Sequence, residues 1–215
     1  YGSDAQAVIN IITKKGEGRP IVTVSAESGS FKSFRESASI SGGADGVSCS
    51  IGISRQDSEG ISKAENKSQG STSAIKNSDY EKDGFENTAI TSKLGIDLPY
   101  KMSYTLSGYY QSAKYDYDDG AESDDLNKKG ETETVTFNNI LAQEIFSWWN
   151  HKIEYGRTSI SRRDQDNNDR LQPANDETHS WYKGISNQAE WQHDWKIGEI
   201  DTITAGYNFN HEEGS

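Results

Sequence analysis

Met102-Ser103-Tyr104-Thr105-Leu106-Ser107-Gly108-Tyr109-Tyr110-Gln111 alternates: Met102, Tyr104, Leu106, Gly108 and Tyr110 share one parity, while Ser103, Thr105, Ser107 and Gln111 share the other. A period of two sends successive side chains to opposite faces, so the stretch predicts a strand with one apolar and one polar face. The same pattern recurs outward in both directions. Upstream, the turn Pro99-Tyr100-Lys101 separates it from residues 85–98, where Ile90, Leu94, Ile96 and Leu98 are in phase. Residues 47–57 set Val47, Cys49, Ile51 and Ile53 against Ser48, Ser50, Gly52 and Ser54, behind the tight-turn signal Ala44-Asp45-Gly46. Residues 21–28 and 34–42 make a first hairpin around Gly29-Ser30. Downstream, residues 132–145 read as a strand whose phase slips between Phe137 and Ile140, which suggests a bulge or a shifted register. Residues 151–162, the odd-phase run 181–195 and residues 203–209 complete about nine strands.

The fold class expected is therefore all-β, an antiparallel up-and-down meander. After the first hairpin the connections alternate short and long, the long ones spanning residues 58–83, 115–131 and 164–177. In a meander this sends every short turn to one end and every long loop to the other, the asymmetry of outer-membrane barrels. Trp148, Trp149, Trp195 and Tyr100 lie beside short turns, and Tyr110, Tyr155, Trp181 and Phe209 nearer the opposite ends, as two aromatic girdles would require. A soluble antiparallel barrel or sandwich would alternate too, with aromatics placed by packing.

Composition points the same way. Only 32% of the 215 residues are hydrophobic and the mean hydropathy is −0.88, a poor supply for a wide compact core. No stretch approaches the roughly 18 apolar residues of a membrane helix. Membrane strands need apolar residues on one face only and fit such a composition. The single cysteine, Cys49, rules out an internal disulfide and is expected to be a small apolar filler. A net charge of −12 disfavours nucleic acid. The charge is concentrated: residues 115–131 hold seven acidic and two basic side chains, and residues 164–177 five acidic and one basic. The chain carries no leader and stops just after an alternating run, so an internal segment of a longer protein is expected.

The opening stretch adds a motif. Tyr1-Gly2-Ser3-Asp4-Ala5 leads into Val8-Ile9-Asn10-Ile11-Ile12-Thr13-Lys14, a small polar turn before a β-branched run. This resembles the end of the plug domain of TonB-dependent outer-membrane receptors; it departs at Gln6-Ala7, where the family carries a glycine-containing step. The resemblance implies that residues 1–15 are the last plug strand, 16–20 a linker, and 21–215 the N-terminal, incomplete part of a transmembrane β-barrel. Asp83-Gly84-Phe85 and the Tyr-Asp-rich segment after the fifth strand are similar to the vitamin B12 receptor group. The implied function is uptake of a scarce metal chelate, cobalamin or an iron-siderophore, across the outer membrane of a Gram-negative bacterium. The implied partners are outer-membrane lipid and TonB, the latter through plug regions absent from this chain.

Candidate chemistry sits in the acidic segments. Asp116, Asp118, Asp119, Asp124 and Asp125, with Asp164, Asp166 and Asp169 from the next long connection, are candidate calcium ligands, because calcium takes six to eight oxygens. Cobalamin receptors order such loops with calcium, which the resemblance implies here; a plain solvated acidic surface is the competing reading. Asp164-Gln165-Asp166 opens like an EF-hand, but Asp169 holds the glycine position and Asn175 the closing glutamate position, which excludes that loop. His151, His179, His193 and His211 lack zinc spacing and read as interfacial or loop residues. With no nucleophile elbow or phosphate-cradling loop, enzymatic activity is not expected. A calcium-dependent adhesin or secreted β-sheet binding module is the competing class of function.

Overall fold

The computed structural model describes residues 16–61, 82–118, 127–167 and 177–215. The strand assigned to residues 1–15 lies outside the described residues, as does most of the 58–83 connection. The described chain forms nine strands: β1 (Ile21–Ser28), β2 (Phe34–Ala44), β3 (Val47–Ser58), β4 (Phe85–Leu98), β5 (Met102–Asp116), β6 (Lys129–Phe146), β7 (Trp149–Asp166), β8 (Thr178–Ile197) and β9 (Asp201–Gly214). They make one sheet in sequence order, every neighbour antiparallel. The expected meander is what forms, with no helix among the described residues. The sheet is open: β1 and β9 are its two edges.

Short turns and long connections separate to opposite ends as the pattern required. Asp45 and Gly46 both take positive φ, 50° and 76°, in a two-residue connection of the kind that matches strand twist. In the three-residue turn between β4 and β5, Tyr100 and Lys101 also take positive φ, 62° and 57°.

Strands outrun their sequence boundaries at the long-loop end. β5 continues to Asp116, β6 starts at Lys129 and β7 runs to Asp166, so several residues expected in loops stand on strands. Hydrophobic alternation stops there, but ladder hydrogen bonds need no apolar side chains and continue through Asp116↔Lys129 and Asp166↔Thr178. The expected irregularity of β6 is also relocated. Its register with β7 is unbroken from Lys129 to Glu144 and shifts between Glu144 and Phe146. Ile140 and Ala142 therefore sit on the polar face without any bulge at Phe137.

No hydrophobic residue among those described is buried, so the sheet is a single layer whose apolar face has no covering partner among the described residues. Cys49 lies on that face, exposed, between Gly42 and Leu94 in register. The shape of the apolar patch carries information. On β1 it runs from Val22 to Ala26, centred on Val24; on β9 it runs from Ile203 to Phe209, centred on Gly206. Followed across the pairing register, Val24 leads to Glu213 on β9. The patch thus drops seven residues (213 minus 206) over eight strand steps. At roughly 3.3 Å per residue and 4.8 Å between strands, this is a tilt of about 30°. A flat hydrocarbon slab crossing tilted strands produces such a diagonal, and barrel closure demands a tilt near ~35–45°.

Residues 16–20 form no strand and pass the β2–β3 turn at the short-turn end, Gly16 beside Gly43 on the polar face and Pro20 beside Gly42. The Gly43 amide donates to the Gly18 carbonyl oxygen at 2.8 Å. A Cβ on Gly16 would fall 2.2 Å from the Cys49 carbonyl oxygen, so only glycine permits this approach. This passage is associated with one of the few buried side chains of the polar face, Ser48, 7% exposed.

Candidate functional site

The polar face changes character along the sheet. On β2 and β3 it presents Ser37, Ser39, Ser41, Ser48, Ser50 and Ser54; on β7 and β8 it presents Lys152, Glu154, Arg162, Asp164, Asp166, Glu190 and Asp194. These charges fall into two groups, one of them at the long-loop end, where β5, β6 and β7 are tied together. Tyr115, Gly130 and Asp164 are in register there. Gly130 leaves room for Tyr115: a Cβ there would lie 2.4 Å from the ring, which would have to move. Tyr117, stacked obliquely 5.7 Å from Tyr115, donates its hydroxyl to Asp164 Oδ1 at 3.0 Å. Arg162, two residues away on the same face of β7, grips both Asp164 oxygens at 2.8 and 2.9 Å. Lys128 Nζ sits 5.6 Å from the Tyr117 ring centroid and 3.4 Å from Asp166 Oδ2. The Asn167 amide donates to Asn127 Oδ1 at 2.7 Å.

The electrostatics follow from these contacts. Burial alone would raise the Asp164 carboxyl, but hydrogen bonds from Arg162 and Tyr117 outweigh it and hold it below the usual carboxylate range. Burial pushes the Tyr117 phenol up, and its hydrogen bond to Asp164 adds to the shift. The Arg162 guanidinium is raised by the same carboxylate. Asp166 is 3% exposed and its Oδ1 has no hydrogen-bond partner.

The candidate calcium ligands divide. Asp164 and Asp166 point to the polar face, whereas Asp116 has the opposite parity and meets Lys129 at 3.8 Å on the apolar side. Asp118 follows β5 with one carboxylate oxygen buried. Asp119, Asp124, Asp125 and Asp169 lie outside the described residues. Among the described residues no three His, Cys, Asp or Glu side chains are grouped to hold a metal ion. Asp164 already spends both oxygens on Arg162 and Tyr117, so the described carboxylates by themselves do not supply calcium's six to eight oxygens.

Further down the polar face, Lys152 Nζ bridges Glu154 and Glu190 at 3.1 Å each, and Asn138 donates to Glu154 at 2.7 Å. Beside them is an open depression of about 240 Å³ lined by Thr136, Asn138, Thr158, Ser186 and Gln188. Such a wall offers hydrogen bonds and charge to a polar guest.

Two histidines belong to the aromatic girdle at the short-turn end. Trp149 Nε1 donates to His193 Nδ1 at 3.2 Å and Trp191 Nε1 to His151 Nδ1 at 3.3 Å. The His193 and Trp195 rings stack at 5.3 Å. The sequence put these residues in an interfacial class but not together, because only strand pairing joins positions so far apart in the chain. The Lys128 and Arg162 contacts were also missed; the i, i+2 spacing of Arg162 and Asp164 was the available signal.

No family model matches the chain. It is 30% identical over 172 residues to the vitamin B12 transporter BtuB of Photobacterium profundum, an alignment covering 78% of this chain and 25% of that protein. The chain thus spans a quarter of the length of the curated relative it matches.

Proposed function

We propose that this chain is part of the wall of an outer-membrane transport barrel of the TonB-dependent receptor type, and that the whole protein takes up a scarce metal chelate. One observation carries the barrel reading: a single-layer meander whose apolar face is uncovered among the described residues and whose apolar patch descends diagonally through the register, as a membrane slab requires of tilted strands. Similarity to a vitamin B12 transporter supports cobalamin over an iron-siderophore as the cargo. Binding and gated passage need polar walls and positioned loops rather than catalytic groups, so we assign no enzymatic role. On this reading residues 1–15 close the plug, residues 16–20 link it to the wall, and TonB engages plug regions elsewhere in the protein. Calcium, if bound, draws mainly on Asp119, Asp124, Asp125 and Asp169, because Asp164 is occupied and Asp116 faces away.

The test uses the full-length protein. It is expected to fractionate with the outer membrane, to require detergent for monodispersity, and to bind cobalamin in a fluorescence-quenching titration, tighter in calcium than in chelator. Monodispersity without detergent would instead establish the secreted or adhesin class. A detergent-dependent barrel that binds an iron-siderophore and not cobalamin would keep the transporter and change its cargo.

A further inference from the structure

Charge is segregated across the sheet at β7 and β8. Every carboxylate of these strands, Glu154, Asp164, Asp166, Glu190 and Asp194, has polar-face parity, while Arg157, Arg163 and Lys183 have apolar-face parity. In a chain of net charge −12, two adjacent strands thus present an outward surface with three cations and no carboxylate. The nearest carboxylates of that face are Glu131, in register with Arg163 but 3.6 Å from Lys114, Glu133, which accepts from Tyr110 at 3.3 Å, and Glu213, 2.9 Å from His211. Arg157 is hydrogen-bonded to Asn187 at 3.4 Å. Arg163 and Lys183 are exposed, and neither has an ion-pair or side-chain hydrogen-bond partner among the described residues.

Their height is defined by the register. A membrane strand takes about 9–11 residues. Counted as eleven from the in-register pair Trp149 and Trp195 at the short-turn girdle, it ends near Ser159 on β7 and Ile185 on β8, which are also in register. Lys183 is the next outward position on β8, and Arg163 the second on β7. Lys183 pairs with Ser161 and Arg163 with Trp181, so the two cations are diagonal neighbours roughly 7–8 Å apart at the backbone. Two long side chains at that separation converge on one phosphate, with the Trp181 ring alongside.

We propose that Arg163 and Lys183 form a binding site on the outer wall for the phosphate of a phosphorylated glycolipid in the surrounding leaflet, of the lipid A type. The inference rests on the barrel reading above. Charge complementarity at the upper edge of the apolar band selects this occupant over an apolar protein surface, which two unpaired cations would repel by their desolvation cost. Lys114 and Lys129, on the same face, serve as the internal contrast because Glu131 and Asp116 already neutralise them.

Full-length protein purified in zwitterionic detergent is incubated with bisphosphorylated lipid A or its dephosphorylated form, and retained lipid is read by native mass spectrometry. Wild type is expected to retain the phosphorylated form preferentially. R163Q/K183Q is expected to lose about fivefold for each charge removed, R163K/K183R to keep it, and K114Q/K129Q to change by no more than about twofold. Heat-modifiable gel mobility verifies that each variant is folded. Equal retention by R163Q/K183Q and wild type overturns the site, as does equal loss in both double variants or indifference to phosphate. If wild type is monodisperse without detergent, the barrel reading itself fails and the site falls with it; the other failures leave the barrel standing.

Discussion

Strands β1, β2 and β3 are 8, 11 and 12 residues long, whereas β6, β7 and β8 are 18, 18 and 20. About 9–11 residues cross a hydrocarbon layer, so the first wing is barely wall-thick and the second stands well above it. The polar faces differ to match. The short wing is lined by serines and glycines, while the long wing is laced by Lys152 between Glu154 and Glu190, Arg162 on Asp164, and Lys128 beside Asp166. On the barrel reading proposed above, lipid on one face and strand pairing are enough to hold a wall of small residues inside the slab. Lys152, Glu154 and Glu190 line the polar face at that height; beyond it the lipid-facing support ends, and the contacts of Asp164 with Arg162 and Tyr117 and of Lys128 with Asp166 take over the task of keeping the strands together.

If that division is right, substitutions should separate by wing and by height. The largest effect belongs to the apolar band: Ile51→Arg in the short wing is expected to cost about 2–4 kcal/mol of barrel stability, measured by urea titration in vesicles. Ser161→Arg on the same face of the long wing, above the band, should cost under about 0.5 kcal/mol. Equal costs would mean that this face does not meet lipid. Next comes the passage of residues 16–20 past the β2–β3 turn. A Cβ on Gly43 would lie 2.7 Å from the Val47 carbonyl oxygen and 3.0 Å from the Gly16 carbonyl oxygen. Gly43→Ala is therefore expected to cost about 1–3 kcal/mol through overpacking. Gly184→Ala in the long wing, with nothing within 4 Å, should be near neutral in the same titration.

A smaller and more local loss is expected from Lys128→Met, which leaves the buried Asp166 carboxylate facing fewer positive groups. About 1–2 kcal/mol is expected, read as faster amide exchange at residues 127–130 and 164–167 with the short wing unchanged. Adding Asp166→Asn should recover most of it. Failure of that rescue would show that Lys128 acts through Tyr117 rather than through Asp166.

The contrast between wings also explains what could be read from residues alone. Where one face meets an apolar medium, as at Met102 to Tyr110 or Val47 to Ile53, the period of two survives and the strands were legible. Above the band both faces are polar, the alternation disappears, and Asp116, Lys129, Asp164 and Asp166 looked like loop. Ile140 and Ala142 misled in the other direction, since apolar residues on the polar face imitate a slipped register. The clustering of acids was visible, but their fate was not: parity sends Asp116 away from Asp164, and Lys128 reaches Asp166 from a position that only pairing brings near, whereas Arg162 stands two residues from Asp164. The girdle partners His151 and His193 were hidden for the same reason.

The smallest effect is a pH dependence strongest in the long wing. Asp164 is held below its ordinary range, so its contribution is complete above about pH 4, the unfolded value, and is lost as pH falls through the lower folded value. Tyr117 is raised, so its hydrogen bond contributes fully below about pH 10 and is lost as pH rises through the higher folded value. Both groups are partly solvated, which limits the effect to under about 1 kcal/mol. Protease nicking near residues 117–128 should therefore be flat from about pH 5 to 9 and rise in acid, and Arg162→Gln should move the acid rise to higher pH. The serine-lined wing has ion pairs of its own, Arg55 on Asp57 and Lys32 and Lys82 on Glu59, but their carboxylates are more exposed than Asp164 and lack a phenol donor, so its acid step should be smaller. An equal acid response in both wings would mean that the ion pairs at the long-loop end do not hold those strands, and the division of labour between lipid and polar pairs would fail at its weakest link.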